Sequence, residues 1–262
     1  MTDTTTAVPE TRPGAALLPG LTIVLPCFNE APNIAGAIHA ARRAATSNAL
    51  EYQIIVVDDG STDGTALLAA DVARQVPNVR IVEHDGNRGY GAALTSGLHA
   101  ARMPWVLLTD ADLQFDLDQL AAFVPHAEDA DLVVGWRIER QDPLHRRVNA
   151  AAWNWLVRRT FDLRVRDVDC AFKLVRRSAV EDLPLTSDGA MISTELLVRA
   201  QANGARITEL GVEHRPRAAG ESSGADPRVI LRAFRELRRL RREIGRTPAR
   251  RGTPPATWAA AH

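Results

Sequence analysis

Cysteine is nearly absent: the 262 residues hold two, Cys27 and Cys170, in no metal-ligand spacing. That excludes a disulfide-stapled scaffold and a thiolate zinc centre, and it suits a reducing compartment. Long hydrophobic runs are missing too. The longest are strand-length, so no transmembrane helix is expected. Residues 1–20 are rich in Thr and Pro and lack the basic and apolar regions of a signal peptide, so they read as a disordered leader. Net charge is zero, with 32 Lys and Arg against 32 Asp and Glu, which gives no global attraction to nucleic acid. Neither a G-x-G-x-x-G dinucleotide fingerprint nor a phosphate-loop lysine occurs.

What is present is an ordinary globular composition, 45% apolar and 24% charged, in a chain long enough for one α/β domain or two small ones. Acidic residues gather in the first two-thirds and arginines crowd the end. Apolar strand-length runs at 21–25, 52–57, 79–83, 105–108 and 132–134 alternate with helical patterns at 31–45, 64–75, 91–101 and after Asp116. That rhythm predicts a mostly parallel central sheet flanked by helices on both faces. Ligands of such sheets bind beyond the carboxyl ends of the strands, which is where the polar clusters of this chain fall.

Four clusters carry the chemistry. The segment L-T-D-A-D-L-Q ends the fourth strand, and Asp110 and Asp112, two residues apart in extended chain, point to one side. They could share one hard divalent cation, Mg²⁺ or Mn²⁺, with Gln114 as a neutral oxygen ligand. The plainer alternative is strand and helix capping, and Asp116 is read that way. The segment L-P-C-F-N-E at 25–30 offers Phe28 to a flat ring and Glu30 as an acceptor, or else a helix-entry loop. In V-V-D-D-G-S-T-D-G-T at 56–65, capping accounts for Ser61, Thr62 and Asp63 but not for the successive Asp58 and Asp59, which could read a base or ribose. In N-R-G-Y-G-A-A at 87–93, the glycines are read as packing a helix closely onto the sheet.

Together, in this order, these segments resemble family 2 glycosyltransferases of the nucleotide-sugar-binding GT-A fold. The narrower likeness is to the polyprenyl-phosphate sugar synthases, the dolichol-phosphate mannose synthase group, over about 21–223. The resemblance implies that Pro26, Phe28, Glu30, Asp58 and Asp59 surround the nucleotide, and that Asp110, Asp112 and Gln114 hold the metal and donor diphosphate. It implies phosphate-contacting arginines at Arg137 and Arg146. The segment R-D-V-D-C-A-F-K at 166–173 is similar to the family's D-x-T-S-G-F-R, which aligns Asp167 with its acid and leaves Asp169, Cys170, Ala171 and Lys173 as substitutions. Glu195, in I-S-T-E-L-L, falls on the helix that flanks the acceptor site. Arg217 and Ser222, in P-R-A-A-G-E-S-S, fall on the loop that closes over the donor; the family's lysine there is Ser223, and Arg228 is the candidate replacement.

The implied reaction is inverting transfer of a sugar from a GDP- or UDP-sugar to a polyprenyl phosphate, with Asp112, Arg137, Asp167 and Glu195 nearest the chemistry. An ionised phosphate acceptor needs no strong base, so Asp167 and Glu195 are expected to position or tune. A saccharide-hydroxyl acceptor, or a non-catalytic nucleotide-sugar-binding partner, are the competing readings. Residues 21–225 are expected to form the transferase domain, 226–246 a basic amphipathic helix and 247–262 a disordered tail. The helix either lies on an anionic membrane surface or docks its apolar stripe on the domain and leaves its arginines in solvent. The first option gives a cytoplasmic protein peripherally associated with the membrane. No nucleic-acid role is expected, because aromatics do not interleave with the arginines. Trp153, Trp155 and Phe161 are read as packing the helix predicted over 143–160 rather than as prenyl contacts.

Overall fold

The computed structural model describes residues 17–138, 144–216 and 227–244, with side chains except at 144–150 and 227–233. The expected alternation is present: β1 (Leu21–Cys27), α1 (Ile34–Asn48), β2 (Tyr52–Asp58), α2 (Thr65–Ala73), β3 (Val79–Glu83), α3 (Tyr90–Ala100) and β4 (Trp105–Leu108). Next come α4 (Leu120–Phe123), β5 (Leu132–Arg137), α5 (Leu144–Phe161), β6 (Lys173–Arg176), α6 (Met191–Ala202), β7 (Ile207–Val212) and α7 (Pro227–Ile244). The helix expected after Asp116 is cut short, because Pro125 follows within one turn and the chain continues as a 3₁₀ turn. Asp116 does cap its entry, accepting from the Asp118 amide at 3.1 Å.

The strands form one seven-stranded sheet in the order β3-β2-β1-β4-β6-β5-β7, parallel except for β6. All seven residues of β1 are buried, because side chains that alternate across the strand enter separate cores. Ile23 and Leu25 pack with α1 and the short helices at 117–127, while Val24 packs under α3 and α6. α3 comes very near the sheet at Gly97, where a Cβ would stand 2.3 Å from Val24 Cγ1. Chain order reverses at β1, which has β2 on one side and β4 on the other. β4 ends opposite Val24, whereas β1 runs on beside β2 as far as Cys27. Pro26, which has no amide to give, therefore lies where its β4 neighbour has already ended. The resulting gap is the crevice in which such sheets bind ligands.

β6 and β7 were not foreseen from the sequence, and β6 matters most for the site. Because it runs antiparallel, its first residue Lys173 pairs with Leu108, the last residue of β4, and with Val134 in the middle of β5. The segment before it, 166–172, is thereby delivered to the crevice.

Two expectations need correcting. The leader is shorter than residues 1–20: Leu18 is buried, and its backbone pairs with the turn after α1, donating to Asn48 O and accepting from Leu50 N, each at 2.9 Å. An apolar side chain with a core to enter does not stay in solvent. Trp155 does not pack, being 63% exposed, whereas Trp153 and Phe161 are partly buried against the core. Of the two alternatives for α7, docking on the domain is present in the part whose side chains are described. Leu237 and Leu240 are buried against the α6 side, Ile244 packs beside them, and Phe234 meets Trp153 edge-on at 5.9 Å. Burying two leucines contributes about 3–6 kcal/mol, so α7 is part of the fold. The expected tail and most of the leader lie outside the described residues. Among the described residues, no helix is long and apolar enough to cross a membrane.

Candidate active site

At the end of β1 the chain turns through Asn29, which adopts φ 55°. Its amide donates to Ser61 Oγ and its side-chain oxygen accepts from the Thr62 amide, both at 2.9 Å. The Ala31 amide donates to Asp63 at 3.0 Å and the Glu30 amide to Thr65 Oγ1 at 2.9 Å. The loops after β1 and β2 are thus stapled together, and Phe28 is left 44% exposed above them. The Glu30 carboxylate is buried and accepts from Asn33 Nδ2 at 2.7 Å. Burial, reinforced by Asp58 and Glu30, pushes the Cys27 thiol well up, which makes it an inert lining group.

The successive acids divide their work. Asp58 accepts from the Ser61 amide and hydroxyl and so closes its own turn. Asp59 accepts from the Arg88 amide at 2.9 Å and the Gly89 amide at 2.7 Å, and lies 2.7 Å from His84 Nδ1. His84 Nε2 is in turn 2.9 Å from Ser96 Oγ. A carboxylate has about four acceptor positions, and three of those of Asp59 are occupied by the loop at 84–89. Asp59 therefore shapes the wall of the site. An open cavity of about 580 Å³, lined by Glu83, His84, Asp85, Gly86, Asn87 and Arg88, lies against that wall. It flanks the end of the crevice at β2 and β3, not the aspartate pair after β4.

Asp110 and Asp112 follow β4 on a turn held by Leu113 at φ 60°. The Tyr90 side chain, at the start of α3, is partly buried beside the Asp110 carboxylate. Burial, and then the charge of Asp112, push the Asp110 carboxyl up to about 6. Asp110 Oδ1 is buried with no hydrogen-bond partner among the described residues. Such an atom normally costs about 1–3 kcal/mol unless something fills the need. Asp112 Oδ1 accepts from the Gln114 amide at 3.1 Å. The Gln114 side chain donates through Nε2 to Arg215 O at 3.0 Å, which leaves its amide oxygen as the group able to face a cation.

A divalent cation fits this pair: an orphaned carboxylate oxygen, a second carboxylate two residues on, and a neutral oxygen nearby. Among the described residues, no three His, Cys, Asp or Glu side chains form a cage. A cation here would take most of its shell from ligand oxygens and water, as Mg²⁺ commonly does. The segment at 213–216 is bound to the same turn. Arg215 N donates to Gln114 O at 2.8 Å, Glu213 N donates to Gln119 at 2.7 Å, and the His214 ring meets Phe115 edge-on at 5.0 Å.

On the far side, Arg137 at the end of β5 donates to Asp167 through two nitrogens, at 2.7 and 2.9 Å. Burial opposes the charge of Arg137, but the hydrogen bonds and charge of Asp167 outweigh it, and the guanidinium is held firmly protonated. Lys173 is the only lysine in the chain. It is fully buried, and its Nζ donates to Cys170 O and lies 3.5 Å from Ser193 Oγ. Burial pulls its pKa down, against the charges of Cys170, Asp169, Asp167 and Asp110. Burial likewise pushes the Cys170 thiol up to about 11.

Glu195 does not face the crevice as a free base. Its carboxylate accepts from the Thr186 amide at 3.0 Å, the Ser187 amide at 2.8 Å, Thr186 Oγ1 at 3.2 Å and Arg199 Nε at 2.8 Å. Against the effect of burial, those donors hold it below the usual glutamate value. The structure therefore groups Asp110, Asp112 and Gln114 at one end of β4, Arg137, Asp167 and Lys173 beside them, and Pro26, Phe28, Glu30, Asp58 and Asp59 at the ends of β1 and β2. Arg217 and Ser222 lie outside the described residues, and Arg146 is described only as backbone on α5. Tyr90 and His84 have no role in the reading of the sequence, and Lys173 enters it only as a substitution. The aromatic residue inside N-R-G-Y-G was the available signal for Tyr90.

The glycines of that segment serve a different purpose from the one expected. A Cβ on Gly91 would stand 2.1 Å from Ser187 O, so the space they provide is for the loop at 187–189 rather than for the sheet.

Relatives with this arrangement are known. The chain is 32% identical to dodecaprenyl-phosphate galacturonate synthase of Rhizobium johnstonii over 221 residues, 83% of this chain but 64% of that protein, just under two thirds of its length. It is 37% identical to an uncharacterized glycosyltransferase of Mycobacterium tuberculosis over 206 residues, 77% of this chain and 88% of that one. Among solved structures, glucosyl-3-phosphoglycerate synthase from Mycobacterium tuberculosis, in complex with Mn²⁺, uridine diphosphate and phosphoglyceric acid, superposes with a TM-score of 0.65 at 20% identity. That match covers 87% of this chain and 79% of the other, and it shows the fold, the GT-A arrangement that the motifs implied. The profile of glycosyl transferase family 2 matches residues 22–183, from β1 through the aspartate pair to the turn after β6. The chain belongs to glycosyl transferase family 2.

Proposed function

We propose that this chain transfers a sugar from a GDP- or UDP-sugar to a polyprenyl phosphate, with inversion at the anomeric carbon. The observation that carries the reading is the Asp110–Asp112 pair at the β1/β4 crevice, with its orphaned carboxylate oxygen and the buried cations Arg137 and Lys173 nearby. The relative named for a dodecaprenyl-phosphate product supports the acceptor.

The residues divide the task. Phe28 offers an exposed ring for the base to lie on, and the loop shaped by Asp59 and His84 bounds the nucleoside. A Mg²⁺ or Mn²⁺ ion on Asp110 and Asp112, with the Gln114 amide oxygen beside them, would supply charge neutralisation at the donor diphosphate. Arg137 keeps donor protons beyond the two given to Asp167, and these face the charge that develops as the nucleoside diphosphate leaves. Arg146, Arg217 and Ser222 are assigned to the same phosphates by their motif positions.

The acceptor assignment has its own support. Asp167 is committed to Arg137, and Glu195 is saturated by donors, so neither is poised to take a proton from a sugar hydroxyl. A phosphate monoester is mostly ionised near neutral pH, its second pKa being about 6, and attacks without a base. A water-insoluble acceptor also has to be met at a surface. With Leu237 and Leu240 of α7 buried, that helix presents outward a group of arginines, among them Arg235, Arg238, Arg241 and Arg242, which suits electrostatic, peripheral contact with an anionic membrane.

The test is product structure. Incubation with a panel of nucleotide sugars, a short polyprenyl phosphate and Mn²⁺ is expected to give one glycolipid whose anomeric configuration is opposite to the donor's. A product carrying the sugar on a saccharide hydroxyl, or a retained configuration, refutes the reading.

A further inference from the structure

Helix α7 is joined by a series of polar contacts to the start of α3, beside the crevice. At its outer end Glu243 accepts from Arg239 of α7 at 2.8 Å and from Arg199 of α6. Arg199 Nε also donates to Glu195 at 2.8 Å, so one guanidinium spans two carboxylates on different helices. The side chains of Arg199 and Glu195 are 11% and 2% exposed, which places the inner pair where water screens it little. Glu195 then turns inward. Its Oε2 takes both the Thr186 and Ser187 amides, fixing a loop without regular secondary structure. That loop bears directly on the start of α3: Asp188 O accepts from the Gly91 amide at 2.7 Å. It is also packed without slack, since a Cβ on Gly89 would stand 2.4 Å from Asp188 O. Between those glycines lies Tyr90, whose side chain lies beside Asp110.

We infer that Glu195 is a positioning residue: anchored from outside by α7 through Arg199, it holds the loop at 186–189 that sets the Tyr90 hydroxyl against Asp110. The inference rests on the assignment of Asp110 and Asp112 as the cation-binding pair. It gives Glu195 a role that does not involve the acceptor's proton. It also makes α7 a strut of the donor site as well as a surface of positive charge, so that a force on α7 is felt at Asp110.

The geometry requires each link. The Glu195 carboxylate is held in place by four donors from three residues. Replacing it with Gln keeps one acceptor oxygen but removes the charge that binds Arg199. Glu195 takes both the Thr186 and Ser187 amides, so losing it loosens the loop whose Asp188 O holds the Gly91 amide, and with it the setting of Tyr90. Asp110 then loses the side chain packed beside it, and outer neighbours of this kind are worth about 10–100-fold in metal affinity.

The experiment uses the full chain and Mn²⁺ alone, with free Mn²⁺ followed by electron paramagnetic resonance. Glu195→Gln and Tyr90→Phe are each expected to weaken binding about tenfold. The double variant is expected to be no weaker than either single one, because both cut the same series of contacts. A general loss of stability does not produce that non-additivity. Glu243→Gln, on the surface and remote from the crevice, is expected to weaken binding about threefold and to be non-additive with Tyr90→Phe in the same way. If Glu195→Gln does not fold, that second cycle decides. Unchanged affinity in Glu195→Gln and Glu243→Gln, or effects that simply add to Tyr90→Phe, overturn the inference while Asp112→Ala still abolishes binding. Binding that survives Asp112→Ala overturns the cation-site assignment, and this inference with it.

Discussion

Asp110 and Asp112 are chemically alike and two residues apart, yet the fold treats them differently. Asp110 is enclosed, touched by Tyr90 and missing a partner on Oδ1, and its carboxyl lies at about 6. The folded protein thus holds this proton more tightly than the unfolded chain. The group favours folding at low pH, and that contribution is lost as pH rises from the ordinary carboxylate range through about 6. A cation that takes the carboxylate must displace the proton. Mn²⁺ affinity should therefore fall about tenfold per pH unit below about 6 and level off above it, as titrations across that range will show. A flat profile down to pH about 5 contradicts the assignment. The D-x-D spacing was legible in the sequence because extended chain puts i and i+2 on one side. The difference between the two acids was not, because it is made by Tyr90 and by burial. The roles of Asp58 and Asp59 were hidden for the same reason: their partners Ser61, His84 and the 88–89 amides are set by loop geometry.

Among the elements, the contact between the start of α3 and the loop at 186–189 has the least tolerance. A methyl group on Gly91 meets Ser187 O at 2.1 Å and Gly189 O at 2.9 Å, both of them backbone. Gly91→Ala should cost about 1–3 kcal/mol in urea unfolding and weaken Mn²⁺ binding in the fraction that remains folded. Gly189→Ala, where nothing lies within 4 Å, should be neutral to within about 0.5 kcal/mol. Equal costs at the two positions contradict the packing described. The first five strands were readable because continuous apolar runs of strand length, set between helical patterns, match strands covered on both faces. β6 was not, since K-L-V-R is four residues and carries no periodicity. β7, with I-T-E-L-G-V, is half-exposed and breaks the apolar pattern at Glu209 and Gly211. That gap matters, because the antiparallel β6 is what places Asp167 and Lys173 beside Asp110.

On the scale of the whole molecule, the charges that sum to zero are sorted: acids at the crevice, arginines on α7. The sequence left two fates open for that helix, and docking of its leucines settles the inner face. On the proposed membrane contact, the arginines of the outer face would act by Coulomb attraction, each near an anionic surface being worth about 1 kcal/mol. Cosedimentation with phosphatidylserine vesicles should be lost by roughly 0.5 M salt, where the Debye length drops to about 4 Å. Arg235→Glu with Arg238→Glu should abolish it without unfolding the domain. Binding that persists in high salt contradicts the electrostatic account. The most direct test of the central claim is passage of label from a radiolabelled nucleotide sugar into the organic phase with a short polyprenyl phosphate. Wild type would be compared with Asp112→Ala, in Mn²⁺ and in chelator. The account predicts an organic-soluble product from one donor that disappears with the chelator and with the substitution. Label that stays wholly in the aqueous phase for every donor, or a lipid product undiminished in Asp112→Ala, would contradict it.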